Sequence, residues 1–141
     1  MTTSVVTVTR VTPYTEIAHL LTEHQISGLP VVLMDQRVAG VISEADLVAA
    51  SDKKAWRART GTAPGQSRRG GQRRAAILAG ELMTAPAVTI HPDEDVATAA
   101  LVMTAHRVSR LPVVSKDGTL IGIVSEGDLL RSLATAVLGR S

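Results

Sequence analysis

Gly40-Val41-Ile42-Ser43-Glu44-Ala45-Asp46-Leu47 recurs 82 residues later as Gly122-Ile123-Val124-Ser125-Glu126-Gly127-Asp128-Leu129. Upstream, at the same offset, Ile26-Ser27-Gly28-Leu29-Pro30-Val31-Val32 lies on Val108-Ser109-Arg110-Leu111-Pro112-Val113-Val114. Between Ile26 and Val48, 11 of 23 aligned positions are identical without a gap. A repeat this dense settles the organisation before any single element is read. Each copy has only about 50 to 60 residues, too few to be stable alone, so the two are expected to share one core. The spacing also predicts equivalent sites built twice.

Each octet reads as the end of a strand followed by the start of a helix. Val38 to Ile42 and Leu120 to Val124 are the strands; Ser43 opens a helix to about Ala50. Ser125 opens the last helix, with Leu129, Leu130, Leu133, Ala134 and Val137 apolar. Pro30 to Met34 and Leu111 to Val114 are the preceding strands. Asp35-Gln36 makes one turn. Asp117-Gly118 is a stronger hairpin signal, since both residues accept positive φ. The β-branched Val5-Val6-Thr7-Val8 and Ala87-Val88-Thr89-Ile90 read as the first strand of each repeat. Thr12-Pro13 starts a helix that Thr12 or Thr15 caps, with Ile17, Ala18, Leu20 and Leu21 as its stripe and Gly28 as its breaker. His91-Pro92-Asp93 is a turn, and Asp95 can cap the helix from Val96 to Ala105. A short helix around Ala79 to Met83 leads into repeat two, and no counterpart is expected ahead of repeat one, where the sequence starts too late. The boundaries are repeat one at 1–50, a linker at 51–76 and repeat two with its leading helix at 77–141.

The net charge of +2 is unevenly placed. Residues 51–76 hold eight lysines and arginines and one acid, Asp52, a net +7 that leaves −5 for the rest. With its Gly, Ser and Gln, the linker reads as a solvated loop, or as a tether for nucleic acid or an acidic partner. Only Trp56 offers stacking there, which weakens the case for single-strand recognition. Aliphatic residues must supply the core, because there is no Phe and the aromatics are Trp56 and Tyr14. No apolar run approaches the roughly 18 residues of a membrane span, and Met1-Thr2-Thr3-Ser4 begins no secretory signal. The absence of cysteine excludes disulfides and Cys-ligated metals and is compatible with a cytoplasmic protein. There is no nucleophile–base–acid set, no Walker loop and no convincing carboxylate pair, so no enzymatic activity is expected. His24 and His106 align near helix ends, where a cation suits the dipole better than a metal site would; His19 and His91 have no partner at metal-ligand spacing.

The strand-helix-strand-strand-helix order, twice over, resembles a tandem CBS-domain pair (a Bateman module), and in particular the small stand-alone bacterial CBS-pair proteins, with Glu81-Leu82-Met83-Thr84 leading into repeat two. The resemblance rests on Gly28 to Val32, Arg110 to Val114 and the two Gly-x-x-Ser-x-x-Asp runs, and covers nearly all of the chain outside the linker. It implies an α/β (α+β) fold: two β-α-β-β-α repeats related by pseudo-twofold symmetry and packed through their sheets. It further implies a flat homodimer assembled through helices, around Leu129 to Val137 and Leu101 to Met103. The implied ligands are adenosyl compounds, AMP, ADP, ATP or S-adenosylmethionine, held in clefts between the repeats and acting as regulators.

The residues make physical sense of such a ligand. Free N–H groups at a helix start favour an anion, and the Ser43 and Ser125 hydroxyls can donate to a phosphate. Asp46 and Asp128 can accept from ribose hydroxyls. Gly40 and Gly122 allow close approach of a ligand or of another backbone. The adenine would lie against Val8, Leu29, Pro30 and Val31 in one copy and Ile90, Leu111, Pro112 and Val113 in the other. Arg110 is the best-placed cation, ahead of Arg37, Arg107, Lys116 and Arg131; its counterpart is Gly28, so the two sites are expected to be unequal. The same Ser-x-x-Asp is also close to a capping box, which alone would account for both residues. Two functions stay open: an adenosyl sensor whose output acts on an effector protein in trans, or a dimeric scaffold gripping nucleic acid or an acidic partner through the linker.

Overall fold

A computed structural model describes residues 2–51 and 77–138. The basic linker, Trp56 and the side chain of Val137 lie outside the described residues. The chain divides into two compact units. The repeat-one unit comprises Val6–Met34 and Ala39–Pro86; the repeat-two unit comprises Met1–Val5, Asp35–Val38 and Ala87–Ser141. Residues 2–5 group with the repeat-two unit and residues 77–86 with the repeat-one unit.

In the repeat-one unit α1 (Tyr14–His24) precedes β1 (Gly28–Val32), β2 (Val38–Ser43) and α2 (Glu44–Ser51), and a single turn, α3 (Ala79–Leu82), follows. Pro13 takes the N-cap position of α1 without a side-chain cap. Thr12 does not cap the helix: its hydroxyl accepts the Thr9 N–H at 3.1 Å and closes the preceding turn. Gln25, rather than Gly28, ends α1 by adopting φ 53°, its N–H reaching the Leu21 and Thr22 carbonyls. The expected first strand contracts to one ladder position. Val8 donates to the Pro30 carbonyl and accepts from Val32 N–H, a parallel bridge to Val31, before the Thr9–Thr12 turn carries the chain away. Ile17, Leu29, Val31, Ile42, Ala79 and Leu82 are fully enclosed in this core. Gly40 is required by packing: a Cβ there would lie 2.8 Å from both Met83 Sδ and the Thr84 carbonyl oxygen, so the close approach is another backbone, and Val41 and Thr84 exchange both backbone bonds, at 3.1 and 2.9 Å.

The repeat-two unit repeats the order with α4 (Val96–His106), β3 (Arg110–Val114), β4 (Leu120–Ser125) and α5 (Glu126–Leu138). Asp95 caps α4, accepting the Thr98 N–H at 2.8 Å. Arg107 ends α4 at φ 56°, 82 residues after Gln25. β3 and β4 are antiparallel, with Arg110 opposite Ser125 and Val113 opposite Gly122. Ile90 makes the single parallel bridge to Val113 that Val8 makes to Val31, because the His91–Glu94 turn follows at once. Thr2 exchanges both backbone bonds with Ile123 at 2.9 Å, as Thr84 does with Val41, 82 residues apart on each side. At the hairpin tip only Gly118 has positive φ, 88°. Asp117 acts through its side chain instead, accepting from the Ser115 hydroxyl and, at 3.2 Å, from Thr119 N–H. Gln36, the counterpart of Gly118, also has positive φ, 70°, and its carbonyl accepts from Leu120 N–H at 2.9 Å. Ile90, Met103, Leu111, Val113, Val124 and Leu129 form this unit's core.

Candidate functional site

Both helix starts are closed capping boxes built with Asp where Glu is usual. In repeat one, Ser43 N–H donates to Asp46 Oδ2 at 2.8 Å, Ser43 Oγ donates to the same oxygen at 3.1 Å, and Asp46 N–H returns to Ser43 Oγ at 3.3 Å. In repeat two, Ser125 N–H donates to Asp128 Oδ2 at 2.9 Å and Asp128 N–H to Ser125 Oγ at 3.2 Å. The first helical N–H is taken as well: Glu44 donates to the Ser27 carbonyl at 2.8 Å and Glu126 to that of Ser109 at 2.9 Å. Of the donors a helix start normally leaves open, one per copy has no partner among the described residues, the N–H of Ala45 or Gly127. An anion here therefore meets one open backbone donor beside a serine hydroxyl, fewer than a bare helix start offers.

The surroundings of the two boxes differ. Arg131 pairs with Asp128 through the other carboxylate oxygen, so it serves the carboxylate instead of standing apart as a phosphate ligand. Burial pushes the Asp128 carboxyl up, the Ser125 N–H, Arg131 and the Ser125 hydroxyl are among the groups that pull it down, and it lies below the ordinary carboxylate value. Arg110 opens β3 directly across the ladder from Ser125. That register brings a cation to the helix start in repeat two, where repeat one has Gly28. Arg37 lies 3.6 Å from Asp35, and Arg107 occupies the left-handed end of α4.

The apolar candidates are mostly sealed. Leu29, Pro30, Val31, Leu111 and Pro112 have essentially no exposed side-chain surface, and the Pro30 and Pro112 carbonyls already accept from Val8 and Ile90. These residues hold the strands in place, and a ligand reaches at most their remaining backbone. Ile90, Val113 and Asp128, by contrast, come together on the wall of one pocket of about 180 Å³ in the repeat-two unit. Sequence reasoning missed that pocket and the Asp128–Arg131 pair; the spacing of three residues within a helix was the available signal for the pair. His19 pairs with Glu23 at 2.7 Å, His91 Nδ1 lies 3.0 Å from the Val114 carbonyl oxygen, and His24 and His106 sit in last helical turns. Among the described residues no three His, Asp or Glu side chains gather as a metal site, and no helix is long and apolar enough to cross a membrane.

Comparison with known proteins adds to this geometry. The family profile described as "CBS domain" matches residues 1–53 and 79–135. CBS domain-containing protein CBSX1, chloroplastic, from Arabidopsis thaliana is 27% identical over 132 residues, covering 83% of this chain and 54% of that protein. The chain thus spans about half the length of that relative. Among solved structures, CBSX2 in complex with AMP is 26% identical with a TM-score of 0.75, covering 94% of this chain and 89% of that one. The CBS domain pair of protein MJ0100, in complex with 5′-methylthioadenosine and S-adenosyl-L-methionine, is 26% identical with a TM-score of 0.67, covering 93% and 90%.

Proposed function

The chain belongs to the CBS-domain family, and we propose that it is a regulatory module, not an enzyme, that binds an adenosyl compound such as AMP, ADP, ATP or S-adenosylmethionine. The observation that carries this reading is the ladder register that sets Arg110 against Ser125 at the start of α5, where Asp128 follows three residues on. It is supported by structural relatives solved with AMP and with S-adenosyl-L-methionine. In the proposed complex Asp128 accepts from the ribose hydroxyls. The Ser125 hydroxyl, the Gly127 N–H and Arg110 receive the phosphate or carboxylate end. Asp46, Ser43 and Ala45 do the same in repeat one without a counterpart of Arg110, so that copy suits a less anionic ligand. Aliphatic edges, Ile90 and Val113 in one unit and Val8 in the other, face the adenine.

The module is proposed to act as a homodimer and to signal in trans. Leu101 is 71%, Leu130 66% and Leu133 50% exposed. Leu130 and Leu133, with Met103 and Leu129, line a groove of about 450 Å³ flanked by α4 and α5, apolar surface of the kind that marks an interface. A ligand shifts the angle between two copies only by its unequal affinity for the two arrangements.

The test is a thermal-shift panel of AMP, ATP, S-adenosylmethionine and a DNA duplex. A ligand at a hundred times its Kd stabilises by about 2.7 kcal/mol. At least one adenosyl compound should raise Tm, and the duplex should not. Salt-sensitive stabilisation by the duplex alone would overturn the reading in favour of a nucleic-acid scaffold.

A further inference from the structure

The start of α5 differs from its copy at the start of α2 in three positions that share one chemistry. At the 82-residue offset Arg110 stands for Gly28, Gly127 for Ala45 and Arg131 for Ala49. Two of the changes add a cation and the third removes a methyl group. Arg110 lies across the ladder from Ser125. Arg131 pairs with Asp128 Oδ1, while Asp128 Oδ2 accepts the Ser125 N–H at 2.9 Å. A Cβ on Gly127 would lie 3.5 Å from Arg131 Nη1 and 3.6 Å from Ser125 Oγ. The guanidinium thus reaches over the face of Gly127 that a side chain would cover, and the Ser125 hydroxyl borders the same face.

Asp128 Oδ1 therefore has two claimants. Arg131 holds it in this structure, and a ribose hydroxyl would take it in the proposed complex. That exchange leaves a guanidinium without its carboxylate. The Arg131 side chain is 74% exposed and long enough to turn to a new anion without moving the helix. A 5′-phosphate beside Ser125 and Gly127 supplies one, in the charge-assisted geometry that arginine forms best. Adenosine supplies none. S-adenosylmethionine places a sulfonium cation where the phosphate would begin, a like charge for Arg131 and Arg110. Repeat one carries no guanidinium to satisfy at this place, since Ala49 stands there, and Ala45 has the methyl that Gly127 lacks.

Resting on the adenosyl reading above, we propose that Arg131 determines the specificity of the repeat-two copy: it exchanges Asp128 for the ligand's phosphate and so selects adenosine 5′-phosphates over adenosine and S-adenosylmethionine. The test titrates the full-length ¹⁵N-labelled chain with AMP, adenosine and S-adenosylmethionine, the Gly127 amide reading repeat two and the Ala45 amide repeat one. At Gly127, AMP should bind at least fivefold more tightly than the other two. Arg131→Ala should weaken AMP there about fivefold, the upper end for an exposed ion pair. The same variant should leave adenosine unchanged or tighter, and leave both affinities at Ala45 as they were. Arg131→Lys should restore part of the preference. Gly127→Ala adds a methyl at ordinary contact distances, so it should raise Tm, alanine being the better helix former, and yet weaken AMP. Equal losses of AMP and adenosine in Arg131→Ala would reduce Arg131 to a strut for Asp128 and overturn the inference. An AMP preference at Gly127 that survives Arg131→Ala would overturn it as well. Either result leaves the adenosyl reading standing, whereas a chain that binds none of the three compounds refutes that reading and this inference together.

Discussion

Asp128→Glu separates the two jobs open to the carboxylate at the start of α5. As a cap, Asp128 accepts the Ser125 N–H at 2.9 Å while its own N–H reaches Ser125 Oγ at 3.2 Å. Glutamate is the residue that a capping box ordinarily uses at this position, so the variant should keep its stability within about 0.5 kcal/mol. Alanine removes the acceptor and should cost about 1–2 kcal/mol, roughly 3–8 °C in Tm for a chain of this size. As a ribose ligand the same carboxylate is far less tolerant. One added methylene moves it by about 1.5 Å, enough to lose charge-assisted bonds worth about 1.5–3 kcal/mol, or roughly tenfold to a hundredfold in affinity. Calorimetric titration of AMP into the wild type and both variants, beside their thermal melts, reads the two effects independently. The proposal requires Asp128→Glu to melt like the wild type and bind at least tenfold more weakly. Wild-type affinity in Asp128→Glu would refute the ribose contact and leave the cap as the residue's whole role.

Three further outcomes follow from the fold. Gln36 has φ 70° where its counterpart is Gly118; Gln36→Gly should stabilise by about 0.5–1 kcal/mol in urea denaturation and Gly118→Ala should destabilise by about 1–2 kcal/mol, and the opposite signs would contradict the turn geometry. Gly40→Ala places a Cβ 2.8 Å from the Thr84 carbonyl oxygen, so a loss of about 1–3 kcal/mol is expected from overpacking, and an unchanged melt would show that the Thr84 segment does not lie there. The Ser115 hydroxyl first, and then Thr119, pull the Asp117 carboxyl down to about 2. Its folded value is depressed, so its contribution is complete above the unfolded value near 4 and is lost as pH falls from about 4 through about 2. Asp117→Asn should therefore flatten that stretch of the stability–pH curve, and an unaltered acid limb would contradict the assigned bonds.

What was legible in the sequence was whatever the constant offset carried. Ser43 with Asp46 and Ser125 with Asp128 stand out because two copies share one spacing, and the Asp95 cap follows from a local rule that needs no tertiary information. The β-branched runs ending in Val8 and Ile90 misled because strand propensity is blind to the turn that begins at the next residue. The hydrophobic pattern shows Ala79 and Leu82 of α3 but not which repeat they complete. Nor does it show that Thr2 and Thr84 each pair with a strand of the opposite repeat, since such long-range pairing leaves no periodicity. The choice between cap and ligand contact stayed open in the sequence for a physical reason: both roles want a short carboxylate three residues after a serine. The closed boxes account for the cap, and what bears on the ligand is the register that sets Arg110 against Ser125.

Adenosyl binding is tested most directly by native electrospray mass measurement of the full chain incubated with equimolar AMP, ATP and S-adenosylmethionine. The account predicts a mass increment equal to one of these compounds, lost from a chain carrying Ser125→Ala, Asp128→Ala, Ser43→Ala and Asp46→Ala together. A bare protein mass throughout, or an increment that survives all four substitutions, would contradict it.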